Sequence, residues 1–353
     1  MVPHIYFGSE LYIGKGGFMT LKYIEEENFL IFVSEVVKHF ENYSKIEKYM
    51  EGKSYTEEII ESSTEEIILE MRNKYKNSKL DVIVAVGGGS VIDVAKITKF
   101  LLENPEHDLE TLRKEWYNQN QKIKLVAVPT TPTTGSEATY TALLKNNQNE
   151  KVAYVNRSFI PDIAILDVNF LVSIPLEKLI PMTADIFGHA FEGYFSRVSN
   201  AITKTHAISS IKFLKEGIAG LKKNEKDLKS LEKILIAGYF GGVAVGNAFV
   251  GACHALAHTA ESKIDRGHSN LILNLIKPTL TWHQKETENA DYGKFLKDYE
   301  EIGYEKYVES GIFDGLDADW WANAAAKDPA IKTNSIRMKV DAVLELINWI
   351  KTK

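Results

Sequence analysis

The run Asp81-Val-Ile-Val-Ala-Val-Gly87-Gly88-Gly89-Ser90-Val-Ile-Asp93-Val-Ala-Lys96 constrains this chain more than any other stretch. The unbroken apolar segment Val82–Val86 reads as a strand buried on both faces. Three glycines follow at once, and apolar residues then recur at helical spacing to Leu102. A strand passing directly into a helix is the repeating unit of a parallel α/β layer. Glycines let backbone approach a ligand closely, and the first helical turn offers unpaired N–H groups and partial positive charge to a phosphate. Ser90 and Asp93 also have the spacing of a capping box, a purely structural use. The usual dinucleotide fingerprint would place its third glycine at 92, where Ile stands. Taken alone, the run leaves phosphate binding and a tight strand-to-helix turn equally open.

The same texture fills the first half. Phe29–Val33, Leu125–Val128 and Ile163–Leu166 read as further buried parallel strands, and Glu57–Tyr75 and Val91–Leu102 as amphipathic helices. After Ile174-Pro175, strand-like runs become rare and helical patterns continue from Glu177. The expectation is therefore two domains: a doubly wound α/β nucleotide-binding domain over residues 1–175, and an all-helical domain over 176–353. A cleft between two such halves is a natural place for a ligand. Stretches such as Glu57–Lys74 and Lys222–Lys233 read as the solvated faces of helices.

Composition narrows the function. A net charge of −6 argues against a nucleic-acid partner, and no run of 18 uncharged apolar residues suggests a membrane span. The N-terminal residues lack the pattern of a secretory signal, so a cytoplasmic protein is expected. The single cysteine, Cys253, excludes an intrachain disulfide and any CxxC metal knuckle. A bound metal would have to be held by oxygen and imidazole nitrogen.

Two further constellations carry polar chemistry. The loop Val128-Pro129-Thr130-Thr131-Pro132-Thr133-Thr134-Gly135-Ser136-Glu137 follows a buried strand with five hydroxyls. It can donate to a ribose, an amide or a phosphate, although an isolated loop of this kind is more often an ordinary Ser/Thr-rich turn. In the second half, Asp185 and His189 stand four apart on one helix face, as do His254 and His258, with His268 ten residues on. Any one such histidine is more often a hydrogen-bonded core residue than a ligand. Two i, i+4 pairs with a carboxylate among them shift that balance, because three imidazoles and one carboxylate suit Fe²⁺ or Zn²⁺ with a position left open for substrate. His4, His39, His107, His206 and His283 lack such company and read as structural or exposed.

Together, the strand–GGGS–xxDxAK run, the PTTxxTGSE loop, the DxxxHAxE segment and HALAH with its following histidine resemble the iron-dependent (group III) alcohol dehydrogenases. That family has the dehydroquinate-synthase-like fold. The resemblance runs from about Ile31 to His268. It implies that Asp185, His189, His254 and His268 hold Fe²⁺ (or Zn²⁺), and that the enzyme binds NAD, with NADP the alternative. Gly87, Gly88, Gly89 and Ser90 would take the pyrophosphate. Asp93, Thr130, Thr131, Thr134 and Ser136 would line the ribose and nicotinamide side, Lys151 would approach the cofactor, and Glu35 would contact the adenosine ribose. An acid there disfavours a 2′-phosphate and so favours NAD. His258 is the candidate proton relay, or else an orienter of the ligands.

The implied reaction is hydride transfer between nicotinamide and a small alcohol or aldehyde, with a polyol or sugar acid as one substrate class, in a homodimer. Three positions depart from the family pattern: Ala184 for a glycine, Pro132-Thr133 for small residues, and the order Gly267-His268 at the last ligand. The competing readings are a lyase of the dehydroquinate-synthase kind, which uses NAD transiently, and a nucleotide-binding relative with altered chemistry.

Overall fold

The computed structural model describes residues 5–116, 121–132 and 135–352. The chain divides into two compact units, Tyr6–Ser173 and the segment from Ile174 onward.

Among the described residues the first unit holds eight strands: β1 (Glu10–Ile13), β2 (Asn28–Val33), β3 (Ser54–Ile59), β4 (Val82–Gly87), β5 (Lys124–Pro129), β6 (Thr141–Lys145), β7 (Lys151–Val155) and β8 (Ile163–Leu166). Its helices are α1 (Glu35–Lys38), α2 (Ile46–Tyr49), α3 (Glu65–Tyr75), α4 (Gly89–Glu103) and α5 (Leu109–Leu112). Six strands form one parallel sheet in the order β1-β8-β5-β4-β2-β3, and β6 and β7 form an antiparallel hairpin. The central strands are apolar throughout because both faces are covered. Leu30, Phe32, Ile83, Ala85, Leu125 and Ala127 pack under α3 and α4. Their alternates Ile31, Val33, Val84, Val86, Val126 and Val128 join Phe18 and Phe170 in a second core. Each such buried Val, Ile or Leu contributes roughly 1.5–3 kcal/mol of burial free energy. From β2 the chain moves outward to β3, then returns to lay β4 on the other side of β2. The strand order therefore reverses between β2 and β4, which makes their carboxyl ends a topological switch point.

The expected strands are β2, β4, β5 and β8. The helix expected over Glu57–Tyr75 is shorter, because Ser54–Ile59 is β3, paired in parallel with β2 over six residues. Its polar SYTEEI sequence suits an edge strand, and helix α3 starts only after Thr64, whose side chain accepts from the Ile67 amide. Helix α4 begins at an N-cap formed by Gly88, so no Ser90–Asp93 capping box forms. Edge strand β1 and the β6–β7 hairpin were not expected.

The second unit is helical: α6 (Leu176–Met182), α7 (Ala184–Phe195), α8 (Ala201–Leu221), α9 (Leu228–Ala248), α10 (Ala252–Ala260), α11 (His268–Thr287), α12 (Asp291–Ile302), α13 (Ala318–Ala325) and α14 (Val340–Lys351). The stretch Lys222–Lys233 is not one helix: α8 stops at Leu221, and α9 restarts behind Asp227, whose side chain caps the Ser230 amide. Among the described residues no single helix is long and apolar enough to cross a membrane.

Candidate metal centre

Helices α7, α10 and α11 bring Asp185, His189, His254 and His268 together. Asp185 lies in the first turn of α7, where the helix dipole favours an anion. Its Oδ1 faces three imidazole Nε2 atoms, at 3.3 Å from His254, 3.6 Å from His268 and 3.7 Å from His189. Asp185, His189 and His254 offer donor atoms that all lie within 4.8 Å of one another. The His189 and His254 rings stack at 4.8 Å between centroids. His268, the first residue of α11, follows Gly267 at φ 72° and is the most exposed of the four at 17%.

Two atoms in this cluster, Asp185 Oδ2 and His189 Nδ1, are buried without a hydrogen-bond partner. Leaving such atoms unsatisfied costs about 1–3 kcal/mol each, more for a charged group. Burial pushes the Asp185 carboxyl up, but His189, His268 and His254 outweigh it and hold the group well below the usual range. Burial drives His189 down to about 4. For His254, burial opposes the charged form, yet Asp185 and Glu192 on opposite sides raise it to about 9. A buried carboxylate with an unpartnered oxygen, facing three Nε2 atoms, is a donor set that fits a divalent cation of the Fe²⁺ or Zn²⁺ kind.

Carboxylates behind the rings set their orientation. Glu192 accepts from His254 Nδ1 at 2.6 Å, which turns Nε2 toward Asp185, and also from the Gly251 and Cys253 amides at 2.8 and 2.7 Å. Glu261 lies 3.2 Å from His268 Nδ1, and Asp328 lies 3.2 Å from His258 Nδ1. Such partners fix tautomer and ring angle in metal sites. The His258 ring stacks on His268 at 5.4 Å between centroids. Gly188 is needed for close approach: a Cβ there would meet Ile272 Cγ2 at 2.9 Å and His254 Cε1 at 3.2 Å. The sequence carries Glu192 only as the last residue of the DxxxHAxE segment, with no role assigned to it, and Glu261, Asp328 and Gly188 are not singled out there. Glu192 alone left a signal, as an acid one turn past His189 in an otherwise apolar helix.

In the α/β unit, the glycine turn joins β4 to α4, and no side chain caps the helix. Gly87 is required by packing, since a Cβ would fall 2.4 Å from Val91 Cγ2. Gly88 faces Thr131, Ser90 is exposed, and the Thr130 amide donates to Gly87 O at 3.0 Å. Asp93 and Ser136 are buried and bonded to each other: Ser136 Oγ donates to Asp93 Oδ1 at 2.6 Å, and the Leu143 amide donates to Oδ2 at 2.9 Å. Lys96 Nζ completes this network on Ser136 Oγ, Thr139 Oγ1 and Thr141 O. Burial pushes Asp93 up, Lys96 down to about 8 and Glu137 up to about 7. Lys151 opens β7 close enough to Asp93 to favour its ionised form. Glu35 is exposed just past β2, with His39 Nε2 at 3.4 Å. Thr134 lies outside the described residues.

Known families match both units. The family model for iron-containing alcohol dehydrogenase covers residues 8–168, and the Fe-containing alcohol dehydrogenase C-terminal model covers residues 180–301. The chain belongs to the iron-containing alcohol dehydrogenase family. The bifunctional aldehyde-alcohol dehydrogenase AdhE of Escherichia coli K12 is 34% identical over 224 residues, which are 59% of this chain and 25% of that protein. This chain thus spans about a quarter of the length of such relatives. An NADPH-dependent butanol dehydrogenase of Clostridium saccharobutylicum is 25% identical over 350 residues, 95% of this chain and 89% of that one. Among solved structures, the iron-containing alcohol dehydrogenase of Thermococcus thioreducens shares the fold, with a TM-score of 0.87 at 22% identity over 99% of this chain and all of that one.

Proposed function

We propose that this chain is a metal-dependent, nicotinamide-linked alcohol dehydrogenase or aldehyde reductase. One observation carries the reading: three imidazole Nε2 atoms converge on one buried carboxylate whose second oxygen has no partner. Asp185, His189, His254 and His268 would hold Fe²⁺, and Zn²⁺ suits the same donors. When bound, the ion supplies a Lewis acid for an alcohol or carbonyl oxygen, and the nicotinamide supplies or takes the hydride.

The protein's own residues do the rest. Glu192 and Glu261 hold His254 and His268 with Nε2 facing Asp185. His258, with Nδ1 directed at Asp328, is left with Nε2 to exchange the substrate's proton. The uncapped turn Gly87–Ser90 would receive the pyrophosphate at the start of α4. Thr130, Thr131 and Thr134, with Lys151, would line the nicotinamide side. Asp93 and Ser136 would serve indirectly, by fastening that loop to α4 through Lys96. Glu35, beside the switch point, would meet the adenosine ribose and favours NAD over NADP, although the butanol dehydrogenase relative is NADPH-dependent. The substrate is a small alcohol or aldehyde, and the assembly a homodimer.

Anaerobic purification, metal analysis and fluorescence titration with NADH and NADPH test this for the native chain and His268→Ala. The expected result is about one Fe or Zn per chain, NADH binding, and metal affinity weakened at least about tenfold in the variant. A metal-free native chain, or a variant that keeps its metal, overturns the four-ligand reading.

A further inference from the structure

We infer that Asn334, beyond the last residue matched by the family models, is a positioning residue for the metal centre that ties ligand helix α10 to ligand helix α11. The inference rests on the metal reading above.

Helix α10 starts without a cap of its own, since Gly251 has no side chain to offer. Its first amides must find partners elsewhere. Glu192 takes those of Gly251 and Cys253 and, at 3.4 Å, that of His254. The amide between them, Ala252 N–H, goes to Asn334 Oδ1 at 3.1 Å. The other end of the Asn334 amide is fixed as well: Nδ2 donates to His283 Nε2 at 2.9 Å and to Ile336 O at 3.0 Å. His283 Nδ1 in turn donates to Thr279 O at 2.8 Å, one turn back on α11. A continuous chain of hydrogen bonds thus runs from the start of α10, which carries His254, into the body of α11, which begins at His268.

The backbone before α10 adds a second reason for such a tie. Phe249, which ends α9, stands at φ 59° and ψ 171°, a conformation open to glycine and strained for any other residue. Strain of this kind persists only where the surroundings impose it. Here Thr333 Oγ1 donates to Val250 O at 2.7 Å, and Ser196 Oγ donates to Ala248 O. Thr333 and Asn334 are adjacent, so one short segment pins both the elbow and the helix that follows it. The consequence is that His254 is placed relative to His268 by a contact that neither ligand makes.

The test uses Co²⁺ as the probe on the metal-free protein, because its visible absorption reports ligand geometry. Asn334→Ala is expected to weaken Co²⁺ binding about ten- to a hundredfold and to shift the bound-ion spectrum. His283→Phe keeps Asn334 but frees its amide to turn, and should shift the same spectrum by a smaller amount; it also serves if Asn334→Ala does not fold. Thr281→Val, which removes the Trp349 Nε1 hydrogen bond elsewhere on α11, is the control and should leave affinity and spectrum at native values. Native affinity and spectrum in both site variants overturn the inference, as does an equal loss in the Thr281 control. A native chain that binds no Co²⁺ overturns the metal reading itself.

Discussion

The glycine turn of the α/β unit and the histidine cluster of the helical unit are both built from family motifs, yet they treat their polar groups in opposite ways. Around the turn, Asp93, Ser136 and Lys96 satisfy one another, and what is left open is backbone, the uncapped start of α4. In the cluster the backbone is satisfied by Glu192 and Asn334, and what is left open is side chain, Asp185 Oδ2 and His189 Nδ1. A site that presents backbone tolerates ligands that need only N–H donors, such as phosphates. One that presents unpaired side chains in a buried setting requires a charge to complete it.

The sharpest way to break this contrast is Asp185→Ala, which removes the single anion facing three imidazoles. The expected outcome is loss of bound metal and a fall in kcat/KM for carbonyl reduction on the order of 10³-fold, the several kcal/mol a Lewis acid contributes. Metal retained at native stoichiometry would mean that the imidazoles suffice. Its counterpart in the other unit is Asp93→Ala. That change strands a buried ammonium and the Leu143 amide, and should cost about 3 kcal/mol or more in urea unfolding with metal content unchanged. Intact stability with lost NADH affinity would instead make Asp93 a direct cofactor contact.

The two units should also respond oppositely to acid. Glu137, raised by burial to about 7 from 4.5, contributes stability that is fully present below about 4.5 and is lost as pH rises through 7. Lys96, lowered by burial to about 8 from 10.5, binds its proton more weakly folded than unfolded, so stability recovers as pH rises from 8 toward 10.5. Through these two groups the α/β unit should lose stability as pH rises toward 7 and recover some of it as pH rises above 8. Asp328 in the helical unit works the other way: burial raises it, but the His258 contact lowers it further, so its contribution is lost as pH falls. Hydrogen exchange corrected for intrinsic rates, read on peptides of each unit, checks this. Glu137→Gln should flatten the acid-side limb, and an unchanged profile would assign that limb to another group.

How much of this was legible in the sequence follows from the same contrast. Strands β2, β4, β5 and β8 announced themselves because a sheet covered on both faces needs unbroken apolar runs. Edge strand β3 did not, because Ser54–Ile59 is half-exposed and its glutamates mimic a helical surface. The cluster was legible as i, i+4 pairs, since a helix turns that spacing into one face. Its supports were not: Asp328 and Asn334 reach α10 from more than sixty residues away, and no local period marks a contact of that length. Asp93 and Ser136 were visible as polar residues beside a ligand-like turn. Only the fold shows that they face each other in the interior.

The smallest effect concerns Glu35, a charged side chain at the turn's edge that the interior does not absorb. It follows β2 at the switch point, and it forms an exposed ion pair with His39. An exposed carboxylate near a 2′-phosphate acts through water, where a unit charge pair at 4 Å is worth about 1 kcal/mol, or roughly fivefold in affinity. Glu35→Ser should therefore tighten NADPH about fivefold, and the gain should shrink with added salt because the pair is screened. The NADH titration separates two ways of arriving at that ratio. If Glu35 acts by repulsion alone, NADH affinity stays put. If its carboxylate also accepts from the ribose hydroxyls, NADH weakens while NADPH tightens, and the turn has a side-chain contact after all. A variant that moves neither nucleotide would leave the whole site to backbone and threonine hydroxyls, which is the contrast with the histidine cluster in its strictest form.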